Sequence, residues 1–299
     1  TGIRWATDLH LDHAAPGVVE SFFMALRRGP ALPVILTGDI STAPRLVQDL
    51  IDLADAAAAP LYLVLGNHDH YHGGIGSVRD AVIALHETHP SIQWLPPAGV
   101  VPLDADTALV GVDGWADGRA GNALTTPLVL NDDRLIAEVA AQPDRISKLA
   151  VKRALADADA TRLATLLDRA APDFRRIVVA THVPPFVEGL PASGRLSRAE
   201  WHPLLVSGAT GAVLRRFAMA HPDHQITVLA GHTHAAREAA ILPNLRLRVA
   251  AARYGDPRVA AVTVWRAVSS GNSLLWTVDA FPLARLAPPG RHPARRPDP

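Results

Sequence analysis

Five short stretches of the sequence combine Asp, Asn and His in patterns that are able to bind metal ions. They are Asp8-Leu9-His10, Gly38-Asp39, Gly66-Asn67-His68-Asp69, Thr181-His182 and Gly231-His232-Thr233-His234. Imidazole nitrogens and carboxylate or amide oxygens bind divalent transition metals, and the chain has no Cys to offer a thiolate. The candidate ligands outnumber what one ion ordinarily needs, which favours two ions that share a carboxylate. Two such ions bridged by hydroxide are suited to hydrolysis of a phosphoester.

Each polar stretch follows an apolar run of the length expected for a buried strand. The runs are residues 3–7, 34–37, 61–65, 177–181 and 226–230. Continuous apolar runs of this kind are typical of strands buried on both faces of a parallel sheet. Because the carboxyl ends of parallel strands share one edge of the sheet, we expect the five stretches to meet in one crevice.

Helical periodicity separates the first three predicted strands. Pro16–Arg28 places apolar side chains at helical spacing, and a second such segment begins near Pro44. This alternation predicts a parallel sheet with right-handed crossovers. Further helices are predicted at residues 75–87, 132–140, 146–170 and 202–220, a further strand at residues 108–112, and late β-like runs at residues 245–251, 259–265 and 273–278.

Composition limits the class of protein. The chain has 299 residues, and its 29 basic and 29 acidic residues balance, so it lacks the broad basic field of a protein that binds nucleic-acid backbones. No apolar run is long enough to span a bilayer, and a cytoplasmic location is the default expectation, although a leader could precede Thr1.

We expect one domain over residues 1–287, with an insertion near residues 113–172, and a disordered Pro/Arg-rich tail over residues 288–299. The oligomeric state stays open.

The Gly-rich stretch at residues 113–130 lacks a clear period. A long irregular segment in a compact domain is more often functional than accidental, so we expect it to cover the crevice as a lid, with Asp113 and Trp115 near the opening. Arg119 would then meet a phosphate or carboxylate, and Trp115 would cover a base, ring or acyl group. The equally weighted alternative makes Trp115 a core residue and Arg119 a solvated one.

Taken in order, the five stretches resemble the calcineurin-like metallophosphoesterase superfamily. The resemblance implies an α/β fold, a metallophosphoesterase-type β-sandwich of two mixed sheets flanked by helices. It implies that one metal is held by Asp8, His10 and His234, that the other is held by Asn67, His182 and His232, and that Asp39 bridges them. Family members use manganese, iron or zinc, and the identity of the two ions stays open.

The resemblance leaves His68 off the metals. It implies that His68 acts at the substrate phosphate or leaving group, and that Asp69 fixes its orientation and favours its protonated form. Leu11 after His10, and Asp69 after His68, depart from the protein Ser/Thr phosphatase pattern and favour the bacterial phosphodiesterase side. The expected function is metal-dependent hydrolysis of a small phosphodiester or phosphomonoester through a bridging hydroxide.

Two other functions remain open. A metal-dependent DNA nuclease would carry similar motifs, but the balanced charge and the lack of an obvious coiled-coil arm argue against it. A noncatalytic scaffold on the same fold typically loses ligands or the catalytic His, and none of these residues is missing here.

Overall fold

A computed structural model of the chain describes residues 2–264. The β-like run predicted at residues 273–278 and the tail predicted at residues 288–299 lie outside the described residues, as does the last position of the run at residues 259–265.

Short strands form the frame of the molecule, and helices connect and cover them. In chain order the strands are β1 (Gly2–Ala6), β2 (Val34–Thr37), β3 (Leu61–Val64), β4 (Ile92–Trp94), β5 (Val101–Pro102), β6 (Thr107–Gly111), β7 (Arg176–Ala180), β8 (Gln225–Ala230), β9 (Arg237–Leu242), β10 (Leu245–Val249) and β11 (Ala261–Val264). The helices are α1 (Pro16–Arg28), α2 (Ala43–Ala57), α3 (Ile75–Thr88), α4 (Leu95–Ala98), α5 (Asp132–Leu135), α6 (Ala137–Ala140), α7 (Arg145–Ala170), α8 (His202–Leu205) and α9 (Gly208–Ala220).

The strands form two mixed sheets. The first has the order β11-β1-β2-β3-β4, in which β1 to β4 are parallel and β11 is antiparallel to β1. The second has the order β5-β6-β7-β8-β10-β9, in which the four central strands are parallel and the two edge strands are antiparallel. Parallel strands need long crossovers, and the predicted helices supply them.

The two sheets pack face to face around a shared apolar layer. Trp5 and Ile35 of the first sheet lie in one cluster with Leu109, Val178 and Leu229 of the second. The outer faces are covered by helices, with α1, α2 and α3 on the first sheet and α7 and α9 on the second. The predicted α/β sandwich of two mixed sheets flanked by helices is therefore confirmed.

Two predicted helices are each broken into two pieces. Residues 132–140 form α5 and α6, because Ile136 between them is extended and forms a β-bridge with Gly73. Residues 202–220 form α8 and α9, because the Val206 carbonyl and the Ser207 amide bond to Asp117 and Pro184 instead of continuing a helix. Tertiary hydrogen bonds thus override helical periodicity at both breaks.

Helix α7 is the longest helix of the described residues, with 26 residues. It carries many charged side chains, and no helix between residues 2 and 264 combines the length and the apolar character needed to cross a bilayer.

Candidate metal centre

Five strand ends meet at one edge of the sandwich. The residues found there are Asp8 and His10 after β1, Asp39 after β2, Asn67 after β3, His182 after β7, and His232 and His234 after β8. The Asp8 amide donates to the Gly38 carbonyl at 3.0 Å. The His182 ring joins the two sheets, because its Nδ1 lies 2.9 Å from the Thr37 carbonyl oxygen. The expected convergence of the strand ends is present in the structure.

The side chains at this edge form two groups that share one carboxylate. One group contains Asp8, His10, Asp39 and His234, and the other contains Asp39, His182 and His232; within each group the potential ligand atoms lie within 4.8 Å of one another. The Asn67 side chain extends the second group, since its Oδ1 lies 3.0 Å from His182 Nε2 and 3.1 Å from His232 Nδ1. The arrangement is that of a dinuclear centre in which Asp39 faces both positions.

The nitrogen and oxygen atoms of these side chains are placed to bind metal ions rather than to pair with one another. His10 Nε2 lies 3.1 Å from His234 Nε2, and His182 Nε2 lies 3.2 Å from His232 Nδ1. Because His182 Nδ1–H donates to a carbonyl, its Nε2 presents a lone pair to the centre, as in metal-binding imidazoles whose other nitrogen is held by the protein. These nitrogens converge together with the oxygens of Asp39 and Asn67, which is a donor set suited to manganese, iron or zinc.

Burial sets the protonation of this cluster. Together with the charges of neighbouring imidazoles, it lowers the pKa of His10 to about 2 and that of His232 to about 4, so the rings are neutral and able to bind metal. Burial, together with the charges of Asp8 and Asp69, raises the pKa of Asp39. A positive ion beside Asp39 would therefore favour the ionised form of this carboxylate.

Backbone strain is concentrated in the candidate ligands. Positive φ angles are found at Asp8 (49°), His10 (43°), Asp39 (54°), His232 (69°) and His234 (56°). Only two other non-Gly residues of the described chain, Ala58 and His72, share this conformation. Residues with a Cβ rarely occupy this region, and doing so costs about 1–3 kcal/mol each. The site is thus held in an unfavourable local conformation by the surrounding fold.

Two glycines of the motifs allow the chain segments to approach closely. A Cβ added at Gly66 would collide with the amide and carboxylate of Asp39, and a Cβ at Gly231 would collide with the Thr7 hydroxyl and the Asp8 carboxylate. Any side chain at either position would displace a candidate ligand.

His68 lies at the accessible side of the centre. Its side chain is 16% exposed, and its Nε2 is 4.0 Å from Asp39 Oδ2. The His68 ring packs on Tyr71, with the centroids 4.2 Å apart and an angle of 31° between the planes. Burial lowers the pKa of His68 to about 3, so the ring is neutral, contrary to the expected protonated form.

Asp69 does not hold His68 as expected. Its two carboxylate oxygens accept hydrogen bonds from the backbone amides of Asp39, Ile40, Ser41 and Gly66, at 2.7–3.1 Å. The carboxylate therefore fastens the loop after β2 to the loop after β3. The expected contact with the His68 ring is replaced by this support of the backbone around Asp39.

The expected lid residues are engaged in the scaffold. Trp115 is 4% exposed and packs with Tyr71 and Ile136, so its surface is not available to cover a substrate. Asp113 is fully buried and accepts hydrogen bonds from the Leu65 amide, the Trp94 indole and the Arg79 guanidinium. The expectation that Asp113 lies near the opening of the crevice is therefore wrong.

The Arg119 guanidinium is also occupied. It pairs with Asp117 and Asp157, each at 2.8 Å, and its side chain is 36% exposed. Neither Trp115 nor Arg119 is thus oriented to a substrate as the lid hypothesis requires, and the alternative interpretation of Trp115 as a core residue matches its burial.

Sequence reasoning missed three residues near the centre. Tyr254, in the loop after β10, is 48% exposed, and its ring lies 4.3 Å from His10 and 5.0 Å from His234. Asp132 and Tyr71 form hydrogen bonds with the side-chain amide of Asn67. The adjacency of Tyr71 to the Gly66–Asp69 stretch was a usable signal, whereas nothing in the local sequence marks Asp132 or Tyr254.

Comparison with known proteins agrees with this geometry. The model of the calcineurin-like phosphoesterase family matches residues 3–236. Among solved structures, the phosphopantetheinyl hydrolase from Mycobacterium tuberculosis is similar with a TM-score of 0.61 and 15% sequence identity, covering 85% of this chain and 90% of the other. A dimetal phosphatase from Danio rerio is similar with a TM-score of 0.58 and 11% identity, covering 88% of this chain and 91% of the other. A search among curated proteins found no match. Because the family model spans most of the chain and all five strand-end stretches, the chain belongs to the calcineurin-like phosphoesterase family.

Proposed function

We propose that the protein is a dinuclear metal-dependent phosphoesterase whose bridging ligand is Asp39. The observation that carries the proposal is the pair of ligand groups that share this carboxylate. In the proposed assignment one ion is bound by Asp8, His10 and His234, and the other by Asn67, His182 and His232. When bound, two such ions supply positive charge to the attacking water and to the oxygens of the phosphoryl group.

The protein residues hold the candidate ligands in position and offer a hydrogen-bond donor to the substrate. The left-handed backbone and the amides bound to Asp69 hold the candidate ligands in place before any ion arrives, so little ordering is needed on binding. We propose that His68, which stands at the accessible side of the centre, donates a hydrogen bond to a phosphoryl or leaving-group oxygen. A neutral imidazole can do this from one ring nitrogen.

An exposed tyrosine lies beside the candidate metal ligands. Tyr254 is in ring contact with His10 and His234, and His13 also packs on Tyr254, at 5.0 Å. We propose that Tyr254 takes the role expected of Trp115 and contacts the organic part of the phosphoester. The name of the phosphopantetheinyl hydrolase suggests a phosphopantetheinyl diester as one natural compound to test.

Metal analysis combined with hydrolysis tests this function. The purified chain is stripped with a chelator, loaded separately with manganese, iron or zinc, and assayed on bis(p-nitrophenyl) phosphate, p-nitrophenyl phosphate, a phosphopantetheinyl diester, and single- and double-stranded DNA. We expect two ions per chain and hydrolysis of the small esters. Asp39→Asn should lower occupancy of both positions and nearly abolish turnover, while Asp168→Asn, a matched change at an exposed position of α7, should behave as wild type.

The outcomes separate the alternatives. Two bound ions without turnover on any ester indicate a scaffold, and cleavage confined to DNA indicates a nuclease. Full occupancy with normal turnover in Asp39→Asn would refute the bridging assignment.

A further inference from the structure

The side-chain amide of Asn67 can face the metal centre with either its oxygen or its nitrogen, and only the oxygen can bind a metal ion. In the structure Oδ1 faces His182 and His232, so Nδ2 points away from the centre into the protein. Asn67 is 7% exposed, and its two N–H groups therefore need partners within the protein.

Asp132 and Tyr71 supply both partners. Asn67 Nδ2 donates to Asp132 Oδ1 at 2.8 Å and to the Tyr71 hydroxyl oxygen at 3.0 Å. The Tyr71 hydroxyl in turn donates to the same Asp132 oxygen at 2.7 Å. Every donor of this three-residue network has an acceptor. A flipped amide would instead turn its oxygen toward the Asp132 carboxylate, with no proton between them.

The carboxylate that sets this orientation lies on α5, within the segment predicted to be an insertion near residues 113–172. Asp132 is the first residue of α5, and α5 is fastened to α7 through the next residue, Asp133. Lys152 Nζ pairs with Asp133 Oδ1 at 2.5 Å, and Lys148 Nζ donates to the Asp133 carbonyl at 2.7 Å. The position of Asp132 thus depends on the packing of two helices that are outside the five strand-end stretches.

The same network reaches His68. The Tyr71 ring, whose hydroxyl is held by Asp132, packs against the His68 ring at 4.2 Å. One carboxylate is therefore bonded directly to a candidate ligand and is linked, through the Tyr71 ring, to the residue proposed to act on the substrate.

We propose that Asp132 is a positioning residue that fixes the amide of Asn67 with its oxygen toward the second metal position, and that it holds the His68 ring through Tyr71. The inference rests on the proposed function, because it requires Asn67 to be a metal ligand. It assigns to the insertion a role in building the metal centre, in addition to packing on the sheet.

Metal titration of the stripped protein with Mn²⁺ alone tests the proposal. Asp132→Leu removes the acceptor at similar volume, and we expect the affinity of one of the two ions to fall about 10–100-fold, the usual range for loss of a partner that orients a ligand. Asp132→Asn retains an acceptor oxygen and should restore part of that loss. Tyr71→Phe removes one partner of the amide and should cause a smaller loss than Asp132→Leu. Asp168→Leu, at an exposed position of α7, serves as the control.

A double-mutant cycle with Asn67→Ala separates positioning from general destabilisation. If Asp132 acts through Asn67, adding Asp132→Leu to Asn67→Ala should cause no further loss of metal affinity. Additive losses, or wild-type affinity in Asp132→Leu, would overturn the inference while leaving a two-metal wild type intact. A wild type that binds fewer than two ions would instead overturn the proposed function and this inference with it. Should Asp132→Leu fail to fold by circular dichroism, Asp132→Asn and Tyr71→Phe in the same cycle decide the question.

Discussion

Asp159 is a buried carboxyl group on α7, next to Asp113 and outside the metal centre. Burial, followed by the charge of Asp113, raises its pKa from 3.8 to about 7, while its Oδ2 accepts the Gly114 amide at 2.8 Å. The folded state thus retains a proton that the unfolded state releases above about pH 4. Between these two values the unfolded chain binds fewer protons than the folded one, so stability falls as the pH rises.

The size of this effect follows from the pKa of Asp159. In the middle of that window each pH unit lowers the free energy of unfolding by about 1.4 kcal/mol through this group, and the slope decreases near the folded pKa, which gives about 2 kcal/mol between about pH 5 and pH 7. Asp159→Asn mimics the protonated form and should remove this loss. Its unfolding free energy relative to wild type should rise by about 2 kcal/mol over the same interval.

Urea unfolding at the two pH values, with metal ions removed, measures the difference. Titrating groups distant from Asp159, including those of the metal centre, are present in both proteins and cancel in the comparison, whereas Asp113 is coupled to Asp159 and its response belongs to the measured difference. Asp168→Asn, an exposed carboxylate of the same helix, should follow wild type. Parallel pH profiles for Asp159→Asn and wild type would refute the reasoning, because the carboxyl would then titrate alike in the folded and unfolded states.

Three further changes test the site itself. His68→Ala should keep both ions by metal analysis yet lose roughly 10²–10⁴-fold in rate, with a smaller loss for very good leaving groups; loss of metal would contradict its assignment to the substrate. Gly66→Ala should displace Asp39 and lower metal occupancy, measured by titration, whereas Gly17→Ala, with open space around its Cβ position, should leave occupancy unchanged. Tyr254→Ala should raise KM by roughly 2–10-fold for esters with large organic groups, and Tyr254→Phe should leave it unchanged. If the KM of Tyr254→Ala equals that of wild type for every ester, Tyr254 does not contact the substrate.

The main strands were predictable because their sequence signal is local. β1, β2, β3, β7 and β8 are apolar runs that end in polar residues, and the structure places all five within one residue of the predicted bounds. The edge strands β4, β5 and β9 carry no such signal, whereas the edge strand β11 lies within the β-like run predicted at residues 259–265. β4 and β5 have three and two residues, too few for a period, and β9 is a largely exposed antiparallel strand whose pairing with β10 defines it.

The supporting residues of the site were harder to predict because their partners are distant in sequence. Asp132 lies 65 residues from Asn67, and no local pattern marks it as the acceptor of that amide. Trp115 lies in a Gly-rich segment typical of mobile loops, yet contacts from three other segments bury it. The types and spacing of polar residues identify candidate ligands, whereas the hydrogen bonds that orient those ligands depend on tertiary packing.

Asp69 shows how a motif residue can serve a site without touching the reacting groups. In the loop after β2, the backbone of Asp39 has a left-handed conformation, which a residue other than Gly rarely adopts without support from its surroundings. The Asp69 carboxylate binds the amide of Asp39 and those of the next two residues, and also the amide of Gly66 in the adjoining loop. Burial raises the pKa of Asp69 to about 6, and above that pH these bonds form with an ionised acceptor in a buried setting, where charge-assisted hydrogen bonds are strong. The strain at Asp39 is therefore balanced by a neighbouring carboxylate. This allows the shared candidate ligand to face both metal positions in the folded chain, before an ion contributes any binding energy.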